Sequence, residues 1–317
     1  MELNPIQTML EAQYNLSPSR IASQQGGWAS LAYKIEMDDY RAYFLKVYDK
    51  KRASTPKLTA NLNTYIPITL WLNAHTNLAG KIPVPLLSNN GGYVCEDEQG
   101  YYLLYPYIQG ETIGEKKPGN DQIQQLAALI AELHRYGSEI PHAVSSLTEN
   151  YKVPFLNELQ EWITNVDKLP EGLREIVAAY ELVVQEKINN LRRLSSRLQK
   201  CSLPMRLCHT DLHHWNLMLE NDRLILIDWE GLKLAPVEAD FMSLVDQPYI
   251  ETFLSVYTKV HPGFVMNEEA LAFYQTRRRL EDIWEFVEQL LFDTQSEQDR
   301  EDSVNHLIRE LQALNGE

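Results

Sequence analysis

The segment from His209 to Glu230 constrains this chain more than any other. A turn-prone polar stretch, His209-Thr-Asp211-Leu-His-His-Trp-Asn216, runs into apolar Leu217-Met218-Leu219, then Asn221-Asp222, then the apolar run Leu224 to Ile227, and closes on Asp228-Trp-Glu230. Apolar runs flanking an Asn-Asp pair predict a β-hairpin fed by a loop. Asn216 and Asp228 then stand at the same end of two paired strands, where an amide oxygen and a carboxylate can share one cation. Asp211 adds a second carboxylate within the loop. Phosphoryl transfer needs this set: one group to orient an attacking hydroxyl, and oxygen ligands for the magnesium that bridges the departing phosphates. A different use of the loop, with His209, Asp211, His213 and His214 as a zinc or iron cluster, leaves Asn216 and Asp228 without a role.

With 317 residues the chain exceeds the usual single core, so two lobes are expected. Its net charge of -15 argues against nucleic acid or an anionic membrane surface as partner and favours a cationic substrate. Cys95, Cys201 and Cys208 match no zinc spacing and read as reduced thiols. Neither a secretory leader nor a bilayer-spanning stretch is evident, which predicts a cytoplasmic protein.

Ile6, Met9, Leu10 and Gln13 recur at helical spacing and predict a helix over 5–14. Residues 20–25, 28–37 and 41–48 read as an antiparallel meander. A mainly helical stretch follows over 56–78, interrupted at Pro67, with further strands over 84–88, 92–97 and 101–105. From Asn120 the pattern changes, since Ile123, Leu126, Ala127, Ile130 and Leu133 mark an amphipathic helix. Helical segments are predicted over 155–165, 172–200, 236–260 and 267–314, broken at Pro170, Pro204, Pro248 and Pro262. The lobes divide near Tyr107, giving a nucleotide-binding lobe over 1–107 and a catalytic, acceptor-binding lobe over 108–317.

His-x-Asp, four intervening residues, Asn and an apolar strand ending in Asp resemble the signature of the aminoglycoside phosphotransferase and choline-kinase-like superfamily. The run Tyr274-Gln-Thr-Arg277-Arg278-Arg279-Leu-Glu281-Asp282-Ile283 is similar to the terminal helix of its spectinomycin-kinase-like members. The resemblance implies an α+β, protein-kinase-like bilobal fold with a small mixed β-sheet lobe and a larger, mostly helical lobe. It also implies transfer of the γ-phosphate of ATP, with Mg2+, to a hydroxyl of a small molecule. Residue by residue it makes His209 a structural anchor, Asp211 the catalytic base, and Asn216 and Asp228 metal ligands. Asp240, in Pro236-Val-Glu-Ala-Asp240-Phe, becomes the brace of the catalytic loop.

On the nucleotide side, Gly26, Gly27 and Ser30 lie between two predicted strands, where glycines let backbone amides approach phosphates; read alone, the pair is a hairpin turn. Strand alternation puts Phe44 and Lys46 on one face, and the resemblance gives Lys46 the inner phosphates and Phe44 the base. Tyr105-Pro106-Tyr107-Ile108 resembles the interlobe hinge, with Pro106 and Ile108 reading adenine through backbone groups. One departure is plain: relatives carry a small-lobe helix glutamate that pairs with the lysine, yet no glutamate occurs from Val47 through Cys95. Either Asn61 or Asn63 orients Lys46, or the pair is absent and the chain is a silent nucleotide-binding scaffold.

For the acceptor, Glu230, Asp246, Glu281, Asp282 and Glu285 are candidates to receive ammonium groups; Arg278 and Asp282, four residues apart, read equally as an exposed helix pair. The leading substrate class is an aminoglycoside-type antibiotic such as spectinomycin, with a choline, homoserine, sugar or fructosamine-type metabolite as alternative. A protein acceptor is disfavoured, because Trp229-Glu230 follows the aspartate in place of Phe-Gly and no Ala-Pro-Glu segment comes after it.

Overall fold

Residues 3–24, 30–165, 167, 169, 171–293 and 296–315 are described in a computed structural model. They build an α+β fold whose contacts divide it into two compact units, Met1–Thr148 with Met205–Phe264, and Glu149–Pro204 with Val265–Glu317.

In the first unit, the alternation seen in the sequence produces the expected meander: β1 (Arg20–Gln24), β2 (Leu31–Glu36) and β3 (Ala42–Asp49) pair antiparallel in turn. Helix α1 (Leu3–Tyr14) covers one face, where Ile6, Met9 and Leu10 pack with Tyr33, Ile35, Leu45 and Val47. Because successive strand residues face opposite ways, Lys46 and Tyr48 are turned to the other face.

A short helix α2 (Thr55–Thr59) leads to α3 (Leu62–His75), which passes through Pro67 without a break. Pro67 stands one turn inside the helix, so only a bond to an early carbonyl is lost, while Tyr65, Ile66, Ile68 and Leu72 are buried. Of the strands expected over 84–88 and 92–97, only β4 (Cys95–Glu96) forms. Pro83 and Pro85 have no N–H to give to a ladder, and Leu86 alone donates to Leu104 O, at 2.7 Å. With β5 (Gly100–Pro106) the sheet order is β1-β2-β3-β5-β4, which makes β3 an interior strand.

β6 (Glu111–Thr112) and α4 (Asn120–Leu133) follow, and α4 buries the predicted stripe of Ile123, Leu126, Ala127, Ile130 and Leu133. Beyond α5 (Phe155–Thr164) and α6 (Glu171–Leu198), both in the second unit, the chain returns through β7 (Arg206–Cys208), β8 (Leu217–Glu220), β9 (Arg223–Leu226) and β10 (Lys233–Ala235). β8 and β9 are the predicted hairpin, β6 joins the outer edge of β8, and β7 pairs with β10. The short pieces β6, β7 and β10 carry no alternation long enough to read in a sequence. The helical stretch over 236–260, with its expected break at Pro248, forms as α7 (Glu238–Phe241) and α8 (Ile250–Val260). α8 packs against α4.

The second unit is helical. α5 and α6 pack with α9 (Glu268–Phe292), and α10 (Glu297–Asn315) packs on α6 and α9. The single helix expected over 267–314 is broken because Ser296 starts a new one, its Oγ accepting from Asp299 N at 3.2 Å.

Candidate active site

Loop geometry begins with a buried clamp. Asp240 is 0 % exposed, accepts from His209 N at 3.1 Å and from Thr210 N, and meets His134 Nε2 at 2.9 Å. His134 Nδ1 lies 2.9 Å from the Tyr257 hydroxyl, so both ring nitrogens are in use. His209 donates from Nε2 to Ile227 O at 2.9 Å and accepts at Nδ1 from Asp211 N at 3.3 Å, which is the neutral tautomer. Burial pushes its pKa down, in keeping with that form. His209 thereby ties the loop to the end of the hairpin.

Thr210 is held in left-handed backbone (φ 69°) by the Asp240 clamp and by its hydroxyl, which donates to Gly231 O at 2.8 Å. A Cβ on Gly231 would lie 2.6 Å from Thr210 Oγ1 and 2.9 Å from His209 O. Gly231→Ala is therefore expected to cost about 1–3 kcal/mol, as overpacking does, and to lower turnover through the displaced loop. Thermal denaturation and steady-state rates measure the two effects.

Asn221 and Asp222 (φ 49° and 65°) form the two-residue turn of the hairpin, the conformation such turns require. Leu217 faces Leu226, and Ile227 N donates to Asn216 O at 2.9 Å, so Asn216 and the residues just before Asp228 stand side by side. Asn216 Nδ2 donates to both the carbonyl and Oδ2 of Asp211, each at 3.0 Å, and this leaves its amide oxygen as an acceptor. Asp211 is near enough to Asp228 for its charge to act on that carboxyl. Asn216 and Asp228 thus offer the hard oxygen donors that suit magnesium. Among the described residues His209, Asp211, His213 and His214 do not converge as a metal cluster; the group that does is His134, Cys208 and Asp240, in which His134 and Asp240 hold each other in the clamp and the Cys208 thiol donates to Ala235 O and Pro236 O.

Lys46, 8 % exposed on the interior strand, pairs through Nζ with both Asp228 and Glu230, and the Tyr48 hydroxyl donates to Glu230. Burial opposes the charge on Lys46, but the two carboxylates outweigh it and raise its pKa. Against burial of its own, Asp228 is held below the usual carboxylate range by the lysine. Glu230 is pushed up to about 7 by burial and the adjacent Asp228 charge. Its charge also raises the phenols of Tyr48, Tyr65 and Tyr105, in each case after burial. Asn61 precedes α3 as its cap residue, and Lys46 meets carboxylates instead of Asn61 or Asn63.

Phe44 sits opposite Tyr105 across β3 and β5, ring centroids 6.4 Å apart. Ser30 is buried, whereas Gly26 and Gly27 lie outside the described residues. β5 ends at exposed Pro106, and Ile108 O accepts from Gly110 N at 3.0 Å. Two side chains join the site in roles the sequence did not assign: Tyr48, and His213, considered there only as a metal ligand, whose Nε2 is 3.4 Å from Asp211 Oδ2. The signal for each was position alone, one strand repeat from Lys46 and two residues from Asp211.

Glu230 is in the lysine cluster, and exposed Asp246 follows α7. Glu281, Asp282 and Glu285 lie on α9 in the second unit. There Arg277 reaches Glu149 at 3.0 Å and Glu281 at 3.7 Å, and Arg278 holds Asp282 at 2.9 Å. Burial pushes Asp282 up to about 7, opposed by Arg278 and reinforced by Glu285 and Glu310.

The profile of the phosphotransferase enzyme family matches residues 21–281. StrN of Streptomyces griseus is 23 % identical over 248 residues, 69 % of this chain and 73 % of that protein. Amicoumacin kinase of Bacillus subtilis is 28 % identical over 204 residues, 62 % of this chain and 54 % of that protein. Among solved structures, spectinomycin phosphotransferase in complex with ADP and spectinomycin superposes with a TM-score of 0.72 at 19 % identity, covering 98 % of both chains. Choline kinase LicA from Streptococcus pneumoniae gives 0.64 at 19 % identity over 99 % of both. At such identities the shared property is the fold, here the kinase-like α+β fold.

Proposed function

This chain belongs to the phosphotransferase enzyme family and is a small-molecule kinase acting on hydroxyl groups, and from that premise we propose that it transfers the γ-phosphate of ATP to an aminoglycoside-type antibiotic. The observation that carries the reading is the convergence of Asp211, Asn216, Asp228 and Lys46 around one hairpin end. ATP as donor is supported by the ADP- and AMP-PNP-bound neighbours, and the antibiotic class by spectinomycin and amicoumacin kinases.

Asp211, fixed by Asn216, accepts the proton of the incoming hydroxyl and aims its oxygen in line. Lys46 carries its positive charge to the inner phosphates, and Phe44 packs on the base. Pro106 and Ile108 present a carbonyl and an amide to adenine, and Ser30 covers the phosphates. Asn216 and Asp228 would hold Mg2+, which would supply positive charge against the negative charge of the phosphates. In this reading residues 1–107 form the nucleotide lobe and residues 108–317 the catalytic and acceptor lobe. Among the described residues no helix is long and apolar enough to cross a membrane, and we place the enzyme in the cytoplasm, where ATP is abundant.

A second reading, a kinase of a small amino alcohol, is favoured by the net charge of -15 and by the likeness to choline kinase and aminopropanol kinase. Transfer of labelled γ-phosphate to a panel of spectinomycin, aminoglycosides, amicoumacin, choline and aminopropanol separates the two. Labelling of an antibiotic is the expected result; labelling of choline or aminopropanol alone overturns the antibiotic reading. Asp228→Ala is expected to weaken ATP binding in magnesium about 10- to 100-fold, the loss of one charged contact, and to abolish the difference between titrations with and without the metal.

A further inference from the structure

Relatives draw the partner of the phosphate-holding lysine from the small-lobe helix, and this chain has no glutamate there. Its α3 instead turns Tyr65 toward the cluster, close enough to feel the charge of Glu230. The lysine nevertheless has a second carboxylate: Glu230, two residues past Asp228, pairs with Nζ and is itself fixed by the Tyr48 hydroxyl. Its side chain is 13 % exposed, on the same side of β3 as Lys46 and Tyr48. Taking Lys46 as the phosphate residue, as argued above, we propose that Glu230 is its positioning residue, a carboxylate supplied from the segment after β9 in place of the helix.

Asp228 cannot fill this role alone. One carboxylate cannot serve as the ligand of a divalent cation and as the sole anchor of an ammonium without dividing its charge between them. Glu230 keeps Lys46 beside the hairpin end when Asp228 is engaged, and the hydrogen bond from Tyr48 keeps Glu230 from following the lysine outward. The role differs from that of an acceptor-binding acid, since a Glu230 committed to Lys46 and Tyr48 contributes to affinity for phosphates, not for the alcohol.

The test compares ATP and adenosine affinity by calorimetry for wild type, Glu230→Gln, Glu230→Asp, Lys46→Met and the Lys46→Met/Glu230→Gln double variant. Adenosine lacks phosphates, so it reports the integrity of the base site alone. Glu230→Gln should lose about tenfold or more in ATP affinity, the scale of one charge-assisted contact, with adenosine affinity and melting temperature retained. Glu230→Asp should recover part of the loss. In the Lys46→Met background, Glu230→Gln should cost nothing further, because the two residues act as one unit. Unchanged ATP affinity in Glu230→Gln, an equal loss for adenosine, or full additivity with Lys46→Met would each overturn the proposal while leaving Lys46 as the phosphate residue. A wild-type chain with no preference for ATP over adenosine would overturn both.

Discussion

Asp211→Asn is expected to lower kcat by about 10³-fold, within the 10²–10⁴ that a positioned general base contributes, while ATP affinity changes by less than about twofold. Asparagine retains an oxygen to accept from Asn216 Nδ2, so the loop keeps its shape. Only the ability to take a proton is removed. Single-turnover rates and nucleotide titrations on the same preparation measure the two quantities, and a variant with wild-type turnover would show that the base lies elsewhere. His213, 3.4 Å from the same carboxylate, is the side chain to examine in that event.

The second large effect is one of stability. Asp240→Ala leaves His209 N, Thr210 N and His134 Nε2 without their shared acceptor in a fully buried site. An orphaned buried group costs about 1–3 kcal/mol and a broken buried charge-assisted network about 3–5 kcal/mol. The melting temperature should fall by about 8 °C or more. Turnover should fall too, because the clamp holds Thr210 in left-handed backbone just ahead of Asp211. A melting curve that overlays that of the wild type would mean that Asp240 does not brace the loop.

How much of this was written in the sequence depends on the range over which each signal acts. The hairpin was legible because its turn residues and apolar runs lie within twenty residues of one another. The meander was legible for the same reason: alternation along β1 to β3 is local, and it put Lys46 on one face with Tyr48, where both meet Glu230. The partner of Lys46 was not legible. Lys46 and Glu230 are 184 residues apart, and a search confined to the stretch from Val47 to Cys95 finds Asp49 as its one acid beside neutral polar residues such as Asn61 and Asn63. Pro67 misled in the other direction, since a proline near the start of a helix removes one bond and leaves the burial of Tyr65, Ile68 and Leu72 intact. Neither Glu281 nor Asp282 could be separated from its arginines by spacing, because i, i+4 pairing looks the same in a sequence whether or not a ligand later competes for it.

In protein kinases, a helix of the small lobe carries the lysine's glutamate, and moving that helix in or out turns the enzyme on or off. Here both arms of the lysine ion pair come from β3 and the turn after β9. Rotating α3 would break no carboxylate contact of Lys46, so that familiar lever is missing. The lysine's place in the sheet is therefore tied to the strand hairpin that carries the catalytic loop and is independent of the helix behind it.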